Sequence, residues 1–529
     1  FINAAVCEGC GDCSVQSNCL SVEPYETPLG VKRRINQSTC NKDFSCQRGF
    51  CPSFVSAKGA ELLKPASQSG QLEKKPVPLP TLPTYERSYN ILVPGVGGTG
   101  VVTVGAILGM AAHIAGKGVN ILDVTGLAQK GGAVISHIQI GRTPEDLYST
   151  RIGTGEADLI IACDAIVAAS KEITSKAQRG ITYAAVNSAK TPTAEMIGNP
   201  KWRFPSVITQ YDLESVLGPN NTSFFDASGY AMALLGDGIY ANPLLLGYTW
   251  QKGKVPLDLD VIEKAIELNA VAVEKNLEAF YWGRYLAHFG VESLELNTLK
   301  GKPLEMPETL DGLLKRLTSH LTAYQNAAYG EQFMQAIVPL RQLEEAVAGK
   351  GSRRLTETVA KNLAKLMSYK DEYEVARLYS DPAYFEHLRR TFAGEPGKDY
   401  QLHVHMAPPA FSKKDSKGHL VKREYGPWIF KAFKLLSRFK GLRGTAFDPF
   451  GRTEERRQER ALIQEYQELL DLFKNYLSID NYDKALELAN LADDIRGFGH
   501  VKEANIQRYK DRKKKLIAEF CAPAQAKAA

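Results

Sequence analysis

Seven of the nine cysteines in this 529-residue chain lie within its first 51 residues, and their spacing constrains the fold more than any other feature. Cys7, Cys10 and Cys13 form a C-x2-C-x2-C run on a glycine-bearing loop. Short turns on such a loop let each thiolate reach a different iron of a cubane cluster, and a distant Cys-Pro supplies the fourth ligand in the bacterial ferredoxin pattern. Cys51, which precedes Pro52, has that character. These four cysteines, the first cysteine set, are predicted to hold one [4Fe–4S] cluster.

The other three cysteines of this segment are one ligand short of a second cluster, so a second cluster stays an open question. They form the second cysteine set, Cys19, Cys40 and Cys46. Zinc sites usually contain paired C-x2-C motifs rather than a run of three cysteines. A disulfide framework favours an even count and an oxidising compartment, and no stretch resembles a signal peptide. Iron–sulfur ligation is the favoured interpretation, zinc and disulfides are alternatives, and Cys163 and Cys521 are expected to be inert.

The composition is that of an ordinary globular protein, with 44% hydrophobic residues, 23% charged residues and a net charge of +6. Its length fits roughly three domains. No run of about 18 apolar residues occurs, and we expect a cytoplasmic protein that binds neither a membrane nor nucleic acid. Lysine and arginine gather at 413–460 and 510–515, which indicates either a solvated helical surface or a docking face for an acidic partner or a phosphorylated ligand. The start at Phe1, almost on the cysteine motif, suggests a piece of a longer protein.

Shifts in composition divide the chain into four segments. A ferredoxin-like iron–sulfur segment at 1–57 is followed at 58–88 by a linker whose prolines favour an extended, semi-rigid tether. Alternating strand and helix patterns at 89–290 predict a doubly wound, mostly parallel α/β domain. Apolar residues at three- and four-residue spacing make 291–529 mainly α-helical. The predicted fold class is therefore α/β, with a small iron–sulfur segment and a helical C-terminal domain.

The α/β segment begins with a predicted βαβ unit, in which a strand, a tight glycine turn, an apolar helix and a second strand follow one another. Such a unit predicts a parallel sheet with a right-handed crossover. Its parts are predicted at 89–94, 95–100, 101–115 and 118–123. Further strands are predicted at 134–140, 157–163, 180–187 and 207–211, and helices at 165–179, 223–235 and 259–285.

The glycine turn carries the candidate cofactor-binding residues, Gly95, Gly97, Gly98 and Gly100. Three of them satisfy G-x-G-x-x-G, and Asp123 falls where a ribose-binding acid would lie. Amides at a helix N-terminus favour a phosphate, but small residues also let a helix pack closely on a sheet. A glycine-bearing loop at 125–133, where a second crossover helix should begin, argues against a dinucleotide site. His137, in the following strand, is expected to be a packed, hydrogen-bonded side chain.

No catalytic constellation occurs in the C-terminal half, and the catalytic residues stay unassigned. His403 and His405 share one face of a predicted strand at 400–406 and could be a metal pair. A pair of this kind without nearby acids or cysteines is usually structural. Glycine- and arginine-bearing loops at 443–450 and 496–500 could shape a surface for a partner.

Taken together, these motifs resemble the C-terminal half of the long, fused bacterial indolepyruvate ferredoxin oxidoreductases, in the 2-oxoacid:ferredoxin oxidoreductase superfamily. The order of cysteine cluster, proline linker, glycine-turn α/β domain and helical tail is the same. The cysteine motifs are Cys7-Glu-Gly-Cys-Gly-Asp-Cys13, Cys40-Asn-Lys-Asp-Phe-Ser-Cys46 and Gly49-Phe-Cys-Pro-Ser-Phe54. The motifs similar to the gamma domain are Gly95-Val-Gly-Gly-Thr-Gly100, Gly126-Leu-Ala-Gln-Lys-Gly-Gly132 and Ser136-His137. Those similar to the C-terminal extension are Arg443-Gly-Thr445, Asp448-Pro-Phe-Gly451 and Arg496-Gly-Phe-Gly-His-Val-Lys-Glu503.

The resemblance implies an enzyme that decarboxylates an aryl-2-oxoacid on thiamine diphosphate, passes electrons through [4Fe–4S] to ferredoxin and transfers the acyl group to coenzyme A. It implies that thiamine diphosphate binds a preceding half that this chain lacks, so the chain is the electron-transfer and gamma portion and is not a complete catalyst. It also implies a glycine turn that is not an NAD site. We further expect a homo-oligomer. Two other functions are kept as alternatives: an iron–sulfur NAD(P)H-dependent ferredoxin reductase, and a zinc-stapled scaffold that binds a partner through its basic helical region.

Overall fold

The computed structural model of the chain describes residues 1–63, 68–126, 132–199, 202–294, 309–408, 412–413, 416 and 420–528. Backbone contacts divide the chain into two compact units. Unit 1 contains 1–63, 194–202 and 303–529, and unit 2 contains 64–193 and 203–302. The cysteine segment therefore belongs to the same unit as the C-terminal helices, and the α/β segment forms the other unit.

The cysteine segment of unit 1 is built from one short helix and three strands. These are α1 (Asp12–Ser17), β1 (Val22–Thr27), β2 (Gly30–Ile35) and β3 (Phe54–Lys58). Strands β1 and β2 form an antiparallel hairpin in which Thr27 pairs with Gly30, so two residues make the turn. Several cysteines pack with Ile2, Val22 and Phe54 in a small core, which shields their thiols from water.

Unit 2 contains a six-stranded, mostly parallel sheet, and the predicted α/β fold class is confirmed. Its strands are β4 (Tyr89–Val96), β5 (Gly118–Thr125), β6 (Ala133–Gly141), β7 (Leu159–Ala162), β8 (Tyr183–Asn187) and β9 (Thr222–Phe225). They lie in the order β5-β6-β4-β7-β8-β9, and β6 is antiparallel to both of its neighbours. The strands of the predicted βαβ unit, β4 and β5, run parallel, but β6 lies between them. Only residues 126–132 join β5 to β6, too few for the crossover that parallel neighbours need, so these strands pair antiparallel.

Helices cover both faces of this sheet. The helices from residue 101 to residue 289 are α2 (Val101–Ile114), α3 (Ala165–Ala168), α4 (Lys171–Thr174), α5 (Glu195–Gly198), α6 (Ser206–Leu217), α7 (Ala227–Leu235), α8 (Ala241–Gln251), α9 (Leu259–Leu268) and α10 (Val273–Phe289). All except α5 belong to unit 2. Because successive strand residues point to opposite faces, Ile91 and Val93 share a core with α2, α8 and α10, and Leu92 shares one with α3 and α6.

The strand predicted at 207–211 is wrong, because these residues begin helix α6. Thr209, Leu213 and Leu217 are buried at four-residue intervals, whereas a strand would have buried Val207, which is 82% exposed. The period of burial is that of a helix, and the apolar residues of 207–211 imitate a strand only in composition.

Three predicted helices have different bounds in the structure. The 165–179 helix is two single-turn helices, the 223–235 helix starts only after β9, and the 259–285 helix is divided into α9 and α10. The side chain of Asp226 accepts a hydrogen bond from the backbone of α7 and caps its start. Ala270 has a φ of 55°, which a right-handed helix cannot continue through.

Residues 68–88 of the proline-rich linker belong to unit 2 and pack on its helices, whereas residues 58–63 belong to unit 1. Arg284 Nη2 donates to the carbonyl of Val77 at 3.1 Å, and Gln251 Nε2 donates to the carbonyl of Pro78 at 2.7 Å. These residues of α8 and α10 hold the extended chain along the helical face of unit 2.

The C-terminal part of unit 1 is mainly helical. Its helices are α11 (Leu310–Tyr324), α12 (Ala327–Ala348), α13 (Arg354–Met367), α14 (Glu372–Tyr379), α15 (Pro382–Thr391), α16 (Trp428–Leu436), α17 (Glu454–Tyr476), α18 (Tyr482–Asn490) and α19 (Gly499–Ala528), and its strands are β10 (Gln401–Met406) and β11 (Arg423–Tyr425). Strand β10 confirms the strand predicted at 400–406 and pairs with β3 and β11, so it ties the cysteine segment to the C-terminal region. In the described residues, no helix has the length and apolar character needed to span a membrane.

Candidate metal centre

The loop that carries the first three cysteines is shaped by two glycines. Gly9 and Gly11 have φ values of 70° and 80°, which L-residues with a side chain rarely adopt. The N–H of Gly9 donates to Cys7 Sγ at 3.3 Å. A Cβ on Gly9 would lie 2.2 Å from the carbonyl oxygen of Val31 on β2, so the loop lies directly against the hairpin.

The structure brings the distant Cys51 to the three-cysteine loop. All four members of the first cysteine set line one small cavity, together with Ile2, Glu8, Gly11, Asp12, Arg33, Gly49, Phe50 and Ser53. Cys7 and Cys13 are buried, and Cys10 and Cys51 are partly buried. Cys51 reaches the other three cysteines because the 46–51 loop folds back over the start of α1.

Asp12 and Cys13 of α1 contact the 46–51 loop, and Lys422 and Tyr379 fix this loop and the residue that follows it. A Cβ on Gly49 would lie 2.7 Å from Cys13 Cα, so the two backbones touch. Asp12 Oδ2 accepts a hydrogen bond from the N–H of Phe50 at 2.7 Å. Lys422 Nζ donates to the carbonyls of Gln47 and Gly49, both at 2.7 Å. In addition, the hydroxyl of Tyr379 donates to the carbonyl of Pro52 at 2.6 Å.

The electrostatics of the cavity oppose bare thiolates. Burial raises the pKa of the Cys13 and Cys10 thiols, and the neighbouring cysteines raise it further. Burial also raises the pKa of the Cys51 thiol, although the Lys422 ammonium acts in the opposite direction. Metal ligation requires the deprotonated sulfur, so these thiols ionise favourably only when a positively charged group binds to them.

Arg33 is a buried cation that also lines this cavity. Arg33 is only 1% exposed, and its Nη1 and Nη2 atoms have no hydrogen-bond partner among the described residues. Burial lowers the pKa of Arg33, while the thiols of Cys13, Cys7 and Cys10 raise it. No pattern in the sequence singled out Arg33, because one arginine in a Lys-Arg-Arg run carries no positional signal.

The second cysteine set also comes together in space. Burial raises the pKa of the Cys46 thiol, and Cys40 and Cys19 raise it further. The Cys40 sulfur accepts a hydrogen bond from the N–H of Lys42 at 3.4 Å. Within the described ranges, no three His, Cys, Asp or Glu side chains converge as ligands of one metal ion. A cubane differs from a single ion because each thiolate binds a separate iron.

The glycine turn in unit 2 combines one close packing contact with two positive φ angles. A Cβ on Gly95 would lie 2.5 Å from Val101 Cγ2 and 2.9 Å from Cys163 Cβ. Gly98 and Gly100 have φ values of 86° and 90°, which the tight turn into α2 requires. Gly97 lies where a Cβ would sit 3.4 Å from the carbonyl oxygen of Gly132. Residues 127–131 of the similar Gly126–Gly132 motif lie outside the described residues.

Asp123 and His137 both have roles within the sheet. Asp123 accepts a hydrogen bond from the hydroxyl of Ser136 on the adjacent strand. The imidazole Nδ1 of His137 accepts a hydrogen bond from the N–H of Ile152 at 3.2 Å, as expected for a packed histidine. Burial lowers the pKa of His137 to about 4, with contributions from nearby cations, so the ring is neutral at pH 7.

His403 and His405 have separate partners in the described structure. His405 Nε2 is hydrogen-bonded to Ser56 Oγ at 2.8 Å, and His403 Nδ1 lies 2.5 Å from Glu424 Oε1. Both histidines are on β10, and their partners come from the two flanking strands. The contacts correspond to the structural role rather than to a shared metal.

The arginine side chains of the two C-terminal loops, Arg443 and Arg496, are directed inward, whereas most of the 443–450 loop is exposed. Arg443 forms a bidentate ion pair with Asp371 at 2.5 and 2.9 Å, and its guanidinium lies 3.7 Å from the ring centre of Tyr324. Arg496 Nη1 donates to the carbonyls of Glu8 at 3.3 Å and Val31 at 3.1 Å. Arg496 therefore fastens the C-terminal loop to the cysteine loop.

Two family models match separate parts of the chain. Residues 90–285 match the pyruvate ferredoxin/flavodoxin oxidoreductase family, and residues 310–515 match a family of unknown function (DUF6537). The first match covers the α/β unit, and the second covers most of the helical part of unit 1. Residues 90–285 are thus similar to the pyruvate ferredoxin/flavodoxin oxidoreductases, and the predicted class, an oxidoreductase that acts on 2-oxoacids, is confirmed.

Curated relatives agree with this domain assignment. The chain is 29% identical over 202 residues to indolepyruvate oxidoreductase subunit IorB of Pyrococcus horikoshii, a match that covers 37% of this chain and 95% of the relative. It is 28% identical over 199 residues to the IorB subunit of Thermococcus kodakarensis, with the same two coverages. Among solved structures, pyruvate oxidoreductase subunit PORC of Thermotoga maritima is 21% identical, with a TM-score of 0.28, over 38% of this chain and 97% of that one.

Proposed function

We propose that this chain is the electron-transfer and gamma portion of an aryl-2-oxoacid:ferredoxin oxidoreductase, with a [4Fe–4S] cluster on the first cysteine set. The observation that carries the proposal is the convergence of Cys51 with the C-x2-C-x2-C loop on one cavity. The raised thiol pKa values and the unpaired guanidinium of Arg33 both fit a bound group that carries cationic iron at the thiolates and acceptor sulfurs elsewhere.

Bound there, a cluster would supply one-electron transfer. The residues of the chain prepare the site for it. The Gly9 N–H hydrogen-bonds the Cys7 sulfur, and burial of the thiols keeps water away from them. Lys422 fixes the loop that carries Cys51. Cys51, the proposed fourth ligand, is therefore held in place by hydrogen bonds within the protein.

The substrate and the remaining cofactors are inferred from the similarity to the relatives and from the resemblance of the motifs. We infer an indolepyruvate-type 2-oxoacid because the curated relatives are indolepyruvate oxidoreductase subunits. Thiamine diphosphate would bind a partner half or subunit, coenzyme A would accept the acyl group, and ferredoxin would accept the electrons. No residue of this chain is assigned a catalytic role.

The cluster is tested with protein purified without oxygen. The wild-type chain and Cys163→Ser, a control in the other unit, should be brown, contain iron and sulfide, and bleach with dithionite. Cys10→Ser should lose this absorption, because one of the four thiolates is gone. A colourless wild-type protein with stoichiometric zinc and no iron would contradict the proposal and favour the zinc-stapled scaffold.

The reaction is tested by coenzyme-A-dependent reduction of a viologen dye with indolepyruvate or phenylpyruvate under anaerobic conditions. We expect no turnover from this chain alone and turnover when the thiamine-diphosphate-binding partner from the same organism is added. Turnover by the isolated chain would contradict the division of roles. Absence of turnover in the reconstituted mixture, with an intact cluster, would contradict the substrate assignment.

A further inference from the structure

The guanidinium of Arg33 is buried in the cysteine cavity without a protein partner for two of its nitrogen atoms. A buried cation without compensation costs free energy, and proteins normally pair such groups. Nη1 and Nη2 can together donate up to four hydrogen bonds. Neither atom has an acceptor among the described residues. The arrangement therefore calls for an acceptor inside the cavity.

The lining of the cavity identifies where that acceptor lies. Arg33 lines the same small cavity as all four members of the first cysteine set. When deprotonated, the sulfurs of Cys13, Cys7 and Cys10 favour the charged form of Arg33, and the guanidinium of Arg496 opposes it. The cavity partner of Arg33 is therefore the group that these cysteines hold.

The hairpin explains why only one arginine of the pair enters the cavity. Arg33 and Arg34 are consecutive on β2, so their side chains point to opposite faces. Arg34 is exposed and pairs with Glu23 across the hairpin at 3.1 Å. Its neighbour Arg33 is thereby directed to the cysteine loop, against which the same hairpin packs.

We propose that Arg33 is a positioning residue that donates hydrogen bonds to sulfur atoms of the cluster on the first cysteine set and raises its reduction potential; this rests on the proposed function. Reduction adds one electron, and hence one negative charge, to the cluster. A nearby cation and N–H donors to sulfur stabilise that charge, and both are known determinants of cluster potential. The planar guanidinium supplies both from two donor nitrogens in a fixed geometry, whereas a lysine ammonium supplies both from a single nitrogen on a flexible stem.

The test uses the full chain, purified anaerobically, in four forms: wild type, Arg33→Gln, Arg33→Lys and the matched control Arg34→Gln. Iron per chain is measured first, and the midpoint potential is then measured by dithionite titration followed by electron paramagnetic resonance. Arg33→Gln should shift the equilibrium towards the oxidised cluster by tenfold or more, about 59 mV for a one-electron couple. Arg33→Lys should fall between Arg33→Gln and wild type, and Arg34→Gln should equal wild type.

The iron content tests the proposed function, and the midpoint potential tests the role of Arg33. A wild-type chain without iron refutes the proposed function, whereas equal potentials in iron-loaded wild type and Arg33→Gln refute only the role of Arg33. If Arg33→Gln does not retain iron, Arg33→Lys decides, and an unchanged potential overturns the proposal. If both variants lose iron, wild-type protein with ¹⁵N-labelled arginine is examined by pulsed electron paramagnetic resonance. A nitrogen coupling to the reduced cluster then supports the proposal, and its absence overturns it.

Discussion

Gly49 lies where the loop that carries Cys51 passes over the backbone of Cys13. Its φ of −55° is open to any residue, so the requirement for glycine is steric rather than conformational. A Cβ there would lie within 3 Å of Cys13 Cα, Cβ and N, and backbone atoms cannot rotate away as a side chain can. The approach of the two loops, and hence of Cys51 to Cys13, depends on the absence of that one carbon atom.

Gly49→Ala should separate the two loops and lower the iron content, because overpacking against fixed backbone costs about 1–3 kcal/mol. Iron per chain and the melting temperature of anaerobic protein are the measurements. Gly441→Ala is the matched control, since a Cβ there meets nothing within 4 Å. Equal iron content in the two variants would show that the loops tolerate the displacement.

At the scale of elements, the position of β6 decides how the glycine turn is interpreted. In a dinucleotide-binding fold, the ribose-binding acid ends the strand that neighbours the glycine turn. In this sheet β6 pairs with β4 along its whole length, and β5, which carries Asp123, lies beyond it. Two strand spacings amount to about 10 Å, twice the separation of adjacent strands.

We therefore expect no binding of NADH or NADPH to this chain in a calorimetric titration. Gly95 packs on Val101 and Cys163, and Gly98 and Gly100 have positive φ angles. Asp123 is hydrogen-bonded to Ser136. A dissociation constant in the micromolar range for either nucleotide would favour the ferredoxin reductase alternative. In that case Asp123→Asn should weaken binding, and Asp146→Asn, on the same unit but away from the turn, should not.

At the scale of the molecule, unit 1 joins the two ends of the chain around the cysteines. Strand β10 pairs with β3, which begins at Phe54, shortly after Cys51. Lys370 Nζ donates to Glu8 Oε1 at 2.6 Å, and Arg496 donates to the carbonyl of Glu8. The cysteine loop is thus held from outside by residues more than 350 positions away.

Arg496→Met should weaken this attachment and speed the loss of the cluster in air. The substitution removes two hydrogen bonds to the carbonyls of Glu8 and Val31 and the ion pair with Asp493, which together contribute about 1–3 kcal/mol. The rate of bleaching of the visible absorption is the measurement. Arg512→Gln, which breaks an exposed ion pair with Asp494, should bleach at the wild-type rate. Equal rates in both variants would contradict a supporting role for Arg496.

Local patterns predicted the parts of this protein that depend on neighbouring residues. Cysteine spacing indicated the first cysteine set, and apolar periodicity indicated the helices of unit 1, because both are properties of a few consecutive turns. The strand at 400–406 was found for the same reason. The strand predicted at 207–211 failed where composition and periodicity disagreed, and burial of Leu213 and Leu217 decided for a helix.

Only the tertiary structure could decide which distant groups meet. In the sheet, β6 lies between β4 and β5. This order depends on which strands pair with each other, and the sequence of one strand alone does not determine its partner. The direction of Arg33 into the cavity depends on how the hairpin packs against the cysteine loop. The attachment of Arg496 to that loop spans 488 residues. The spacing of the cysteines along the sequence predicts which residues are ligands. The charges and hydrogen bonds around a ligand come from residues that are distant in sequence, so a local pattern does not predict them.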